Sequence, residues 1–84
     1  MKHLWLEYNK FLDVYVYYEG IEEGRQHNRH EFRGLDTTVL LDKIKDLVNK
    51  DRRSVFHLRG ISEDLFIGIK YVFENTKVGI DYQE

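Results

Sequence analysis

Eighty-four residues, 42% of them hydrophobic and 14% aromatic, suffice for one packed domain over 1–84 and are too few for two. A net charge of −2 and a pI near 6.1 speak against a dedicated nucleic-acid binder, whose domain pI is often above about 9, and leave room for a local basic face. The chain has no cysteine, which excludes a disulfide framework, a thiolate metal site and a thiol nucleophile.

The opening residues meet an acid at Glu7, too early for the apolar part of a secretory leader, and no apolar run approaches the roughly 20 residues of a membrane span. A cytoplasmic protein without a membrane partner is expected. Proline is absent, and glycine supplies the punctuation at Gly20, Gly24, Gly34, Gly60, Gly68 and Gly79.

Two periodicities compete over the first 18 residues. Leu4, Trp5, Tyr8, Phe11, Leu12 and Tyr15 recur at helical spacing, whereas Leu4/Leu6/Tyr8 and Leu12/Val14/Val16/Tyr18 alternate as strands do. The β-branched and aromatic run from Val14 to Tyr18 favours extended structure, and no residue before Leu4 is a good helix cap. A strand is expected over 11–18, with residues 3–8 open to strand or helix.

Residues 19–24, with two glycines and three acids, read as a turn, and the polar arm 25–33 then completes a long hairpin at or near a sheet edge. Past Gly34, Asp36 or Thr37 can cap an amphipathic helix whose stripe is Leu40, Leu41, Ile44, Leu47 and Val48. Residues 53–59 alternate as a strand well inside the sheet, ended by Gly60. Ser62 caps a second helix with Leu65, Phe66, Ile69, Val72 and Phe73 as its buried stripe, Asn75 stops it, and 78–82 add a last strand.

The fold class expected is therefore α+β, a small domain of order β-β-α-β-α-β with a possible extra strand or helix at the start. Its antiparallel or mixed sheet has four to five strands and carries both helices on one face. The opposite face has no cover within the chain, and function is sought there. If each strand turns its apolar parity to the helices, the open face collects Tyr15, Tyr17, Arg29, Arg33, His57 and Arg59.

Tyrosines beside arginines can stack bases and pair phosphates, as sheet platforms for single-stranded RNA do, although a solvated face also carries such residues. His57 with Arg59, Arg29, Glu31 and Tyr17 is the group that a small ribonuclease would need, on shared parity alone. His27, His30 and Glu31 are a poor metal set, because residues three apart on a strand face opposite sides. Neither a phosphate loop nor a nucleophile elbow occurs, so no cofactor is implied.

On the second helix, Ile67 and Tyr71 lie off the buried stripe around Gly68, which suits either burial on two sides within the domain or a homodimer or partner contact. The acids Glu19, Glu22 and Glu23, with Asp42, Asp46, Glu63 and Asp64 elsewhere, could also imitate phosphates for a basic partner, though interspersed lysines favour an ordinary solvated surface.

The leading expectation is a small non-enzymatic binding protein that occupies a macromolecular partner, a protein first and RNA or DNA second. Tyr15, Tyr17, Arg29, Arg33, His57, Arg59, Ile67 and Tyr71 are its candidate contact residues. Many small virus-encoded inhibitors of host enzymes share this size and composition. The alternative is an RNA-binding protein or small ribonuclease working through the basic, tyrosine-bearing sheet face.

Overall fold

At the centre of a five-stranded sheet runs β1 (Lys2–Asn9), flanked by β2 (Val14–Glu19) on one side and β4 (Ser54–Arg59) on the other. The computed structural model describes residues 1–20 and 25–84. Outside these three strands lie β3 (His27–Arg33) and β5 (Val78–Gln83), giving the spatial order β3-β2-β1-β4-β5. The hairpin pairs β1–β2 and β2–β3 are antiparallel, and β1–β4 and β4–β5 are parallel. A parallel pair needs a long connection, and the two helices α1 (Thr37–Leu47) and α2 (Glu63–Val72) supply it.

Both helices start where a side chain caps them. Asp36 accepts from the Val39 N–H and Ser62 from the Leu65 N–H, satisfying donors that the first helical turn leaves open. Just past α2, Asn75 takes the left-handed backbone at φ 60°, which an asparagine tolerates. Leu40, Ile44 and Val48 of the first stripe and Leu65, Ile69 and Phe73 of the second join Leu4, Leu6, Phe56, Leu58 and Val78 of the sheet in one buried cluster. The sheet and helices thus form two layers around a shared core.

Three expectations are corrected. Residues 10–13 are a turn, so the strand expected over 11–18 starts only at Val14, and the undecided 3–8 segment belongs to the central strand. Of the turn expected at 19–24, Glu19 ends β2, and residues 21–24 lie outside the described residues.

The third correction concerns Tyr15 and Tyr17, which face the helices rather than the open side. Register decides this: Tyr17 stands opposite Leu6 and Tyr15 opposite Tyr8, so the tyrosines share the helix-covered side of β1 while Val14 and Val16 take the other. Tyr17 is fully buried and meets Phe56 edge-on at 6.2 Å. Its large ring fills the layer between sheet and helices better than a valine would.

At Gly68, where the sequence left within-domain packing and a partner contact open, a Cβ would come within 2.9 Å of the Leu41 side chain, so this glycine serves the close crossing of α2 on α1. Ile67 and Tyr71 remain exposed on the outer side of α2.

Gly60 ends β4 at φ +70°, and a Cβ there would meet the Tyr8 carbonyl oxygen at 3.1 Å. Gly34 has φ +63° with open space around it. Gly34→Ala is expected to cost about 1 kcal/mol from backbone strain alone, and Gly60→Ala distinctly more because the strand β1 must also shift. Urea unfolding of the two variants checks this, and equal losses would show that the approach to Tyr8 is without consequence.

Candidate functional site

The sheet face turned away from the helices holds a continuous row across four strands: Tyr18, Trp5, His57 and Asp81, each opposite the next in register. Trp5 is the middle of a stack, with Tyr18 at 5.9 Å on one side and His57 at 4.1 Å on the other, both nearly parallel to it. The indole N–H donates to the Gly20 carbonyl at 3.0 Å, and the Tyr18 hydroxyl donates to Glu7 at 3.0 Å. This side of the sheet is therefore covered by its own aromatics: Trp5 is 8% exposed and Tyr18 is 0% exposed.

His57 stands in a chain of hydrogen bonds. Its Nδ1 donates to the Asp81 carboxylate at 2.7 Å, and its Nε2 lies 2.9 Å from the His3 Nδ1, the two rings edge to edge and nearly coplanar with centroids 5.2 Å apart. With Nδ1 committed to a carboxylate, the His57–His3 contact needs one proton between the two ring nitrogens, one donating and the other accepting. Two fully protonated rings would face each other donor to donor and could not keep the bond.

Asp81 also receives Arg59, whose Nη2 donates to the same Oδ2 at 2.8 Å while its Nη1 donates to the Leu58 and Asp81 carbonyls. The guanidinium sits 5.3 Å from the Trp5 ring, in cation–π range. These hydrogen bonds from Arg59 and His57 hold the Asp81 carboxyl below its usual range.

Placed against this geometry, the candidate residues divide. His57 and Arg59 reach the open face as expected, yet both are engaged by Asp81. Arg29 and Arg33 also face that side, on the edge strand, where both address Glu31. The open face thus balances Arg29, Arg33 and Arg59 with Glu7, Glu31 and Asp81, and its aromatics are buried rather than free to stack on a base.

The ribonuclease group does not assemble. Tyr17 is on the other face, and Arg29 and Glu31 lie three strands from His57, about 14 Å at the usual strand spacing. A bulge between Tyr17 and Glu19 adds one residue to β3, with Asn28 at φ 50°, so His27 leaves the parity of Arg29. Burial and the neighbouring Glu19 push the Tyr17 phenol pKa up, which removes it from proton transfer near neutrality.

Sequence reasoning missed His3, Trp5, Tyr18 and Asp81. A strand over residues 3–8 would have put His3, Trp5 and Glu7 on one side, and helical spacing in the same residues hid that signal.

A second feature lies at the carboxyl ends of β1 and β4. The chain leaves β1 toward β2 and leaves β4 toward α2 and β5, and the divergence opens a crevice of the kind in which open sheets hold ligands. A concavity of about 610 Å³ lies there, lined by Glu7, Val16 and Arg59 of the strands and by Tyr8 and Phe11 at the turn. The turn is held by Asn9, whose Oδ1 accepts from the Phe11 and Leu12 N–H groups, and by Tyr8, whose hydroxyl donates to Asp13 at 2.7 Å. It presents Phe11 at 88% and Leu12 at 60% exposure.

Comparison with protein families, with curated proteins and with solved structures finds no match to this chain. Among the described residues, no helix is long and apolar enough to cross a membrane.

Asp81 has a lowered folded pKa, so its contribution to stability is present above the unfolded carboxylate pKa of about 3.9 and fades as pH falls through the lower folded value. Asp81→Asn is expected to be less stable than the natural chain at pH 7, with the gap closing below about pH 4. Urea unfolding at pH 7 and pH 3 measures this, and a gap that persists unchanged at pH 3 would remove the ion pairs as its cause.

Proposed function

We propose that this chain is a small non-enzymatic binding protein that occupies a protein partner through the Phe11–Leu12 turn and the crevice beside it. The observation that carries the reading is the turn itself: two large apolar side chains held outward by a backbone tied down at Asn9 and Asp13. An exposed aromatic on a rigid turn gains nothing for the fold. It lowers the entropy lost when a partner closes over it, which is how anchor residues concentrate binding energy. Ile67 and Tyr71, exposed one helical turn apart, offer a second apolar contact for the same kind of partner.

The reading differs from that of an RNA platform or ribonuclease on the sheet face in one respect that matters. Arg29, Arg33, His57 and Arg59 of that face each have an acidic partner within the chain and its Trp5 and Tyr18 rings are buried, which favours the protein-partner reading over a phosphate or base contact there. Inhibition of an enzyme by occupation of its surface, as small virus-encoded proteins do, is the form of action that this size and anchor suit.

A photo-crosslinking residue at position 11 is expected to form an adduct with the partner, and none when moved to exposed Lys43 on α1. Loss of one anchor worth about 2 kcal/mol weakens a complex roughly thirtyfold, so Phe11→Ala with Leu12→Ala should weaken affinity capture at least that much. The same pair of substitutions should leave the circular dichroism spectrum unchanged, because both side chains are exposed. Undiminished capture by the double variant would end this placing of the interface.

A further inference from the structure

Four cations without an ion pair among the described residues stand together at the end of the sheet where the parallel strands begin. Lys50, Arg52, Arg53 and Lys77 are all exposed, and among the described residues none of them has an ion pair. By contrast, Lys2, Arg29 and Arg59 are each paired to an acid.

The loops that carry the four are locked together. Lys77 donates its backbone N–H to the Lys50 carbonyl, Ser54 donates to the Lys77 carbonyl, and Lys2 donates to the Arg53 carbonyl. Within the first loop, Asn49 Oδ1 accepts from the Asp51 N–H and the Ser54 hydroxyl donates to the Arg52 carbonyl. Arg53 and Lys77 each stand one residue before the paired Ser54 and Val78, which sets their backbones side by side on neighbouring parallel strands, about 4.8 Å apart. Like charges placed this way oppose folding. Asp51 and Glu74 are the acids of these two loops, half the number of the cations.

We infer that this end of the molecule is a binding surface for the phosphate backbone of a nucleic acid. Two adjacent arginines can each grip a phosphate with a fork of N–H donors, and Lys50 and Lys77, neighbours through their backbones, add two further positive charges beside them. The preformed loops present the cations without the ordering cost that mobile side-chain clusters on a tail would carry. An overall charge of −2 leaves room for a local basic surface: the two loops hold four cations and two acids, while Asp13, Glu63, Asp64 and Glu84 follow the carboxyl ends of β1, β4 and β5 at the other, more acidic end. The surface is separate from the Phe11–Leu12 turn, which lies at that acidic end, so both can be engaged together.

Fluorescence anisotropy of a labelled single-stranded oligothymidylate, titrated with the full chain, tests the inference. The affinity is expected to fall with salt at a slope of about −2 to −3 in a log–log plot, as contacts to three or four phosphates on a single strand require. Arg52→Ala, Arg53→Ala and Lys77→Ala combined should reduce affinity at least tenfold at low salt, while Arg29→Ala with Arg33→Ala and Phe11→Ala with Leu12→Ala leave it within twofold. All these side chains are exposed, and circular dichroism confirms that each variant folds. No binding at low salt, an equal loss in the Arg29/Arg33 variant, or binding to phosphatidylserine vesicles without binding to the oligonucleotide would each overturn the assignment.

Discussion

Everything in this fold depends on the pairing of β1 with β4. The sheet consists of an N-terminal hairpin unit and a later β-α-β unit, and this parallel ladder, Lys2 with Ser54 through Glu7 with Arg59, is the one seam between them. It brings together residues about fifty positions apart, so the loop-closure entropy is lost before the contact rewards it. The reward comes on both faces. Leu4 and Leu6 join the helix-covered core, while Trp5 on the other side stacks on His57 of β4.

That second cluster explains why an uncovered sheet face is not an open one. Trp5, Tyr18 and His57 cover each other, and the polar atoms they bring find partners in Gly20, Glu7, Asp81 and His3. A buried polar group without a partner is costly, and among the described residues no buried side-chain nitrogen or oxygen is left without one. Arg59 closes the arrangement by covering the indole while neutralising Asp81. A face satisfied in this way serves the stability of the seam, and the large apolar side chains left exposed lie elsewhere, at the β1–β2 turn and on the outer side of α2.

The ends differ in chemistry because strand direction sorts the loops. The carboxyl ends of β1, β4 and β5 carry the apolar turn and the acids around α2's start, where negative charge also suits the helix dipole. The amino ends carry Lys50, Arg52, Arg53 and Lys77, near the helix C-termini, where positive charge suits it. Loops scattered through the sequence reach the same end of the sheet because three strands run the same way.

Much of this was legible in the chain. Helix stripes at 3.6 spacing, the Ser62 cap, the strand ended by Gly60 and the edge position of the polar 25–33 arm follow from local periodicity and backbone preference, which neighbours in sequence determine. Fold class and the parity of β4 were within reach for the same reason. The facing of β2 was not, since Val14, Val16 and Tyr18 alternate as plausibly as Tyr15 and Tyr17, and only the register against Leu6 and Tyr8 selects the side. The His3–His57–Asp81 chain, the paired state of Arg29, Arg33 and Arg59, and the gathering of Lys50 to Arg53 with Lys77 are likewise tertiary facts. Sequence alone determined which residues alternate and where elements start and stop, and strand pairing decided which face each residue takes and which charges meet, because those energies depend on contacts between distant segments.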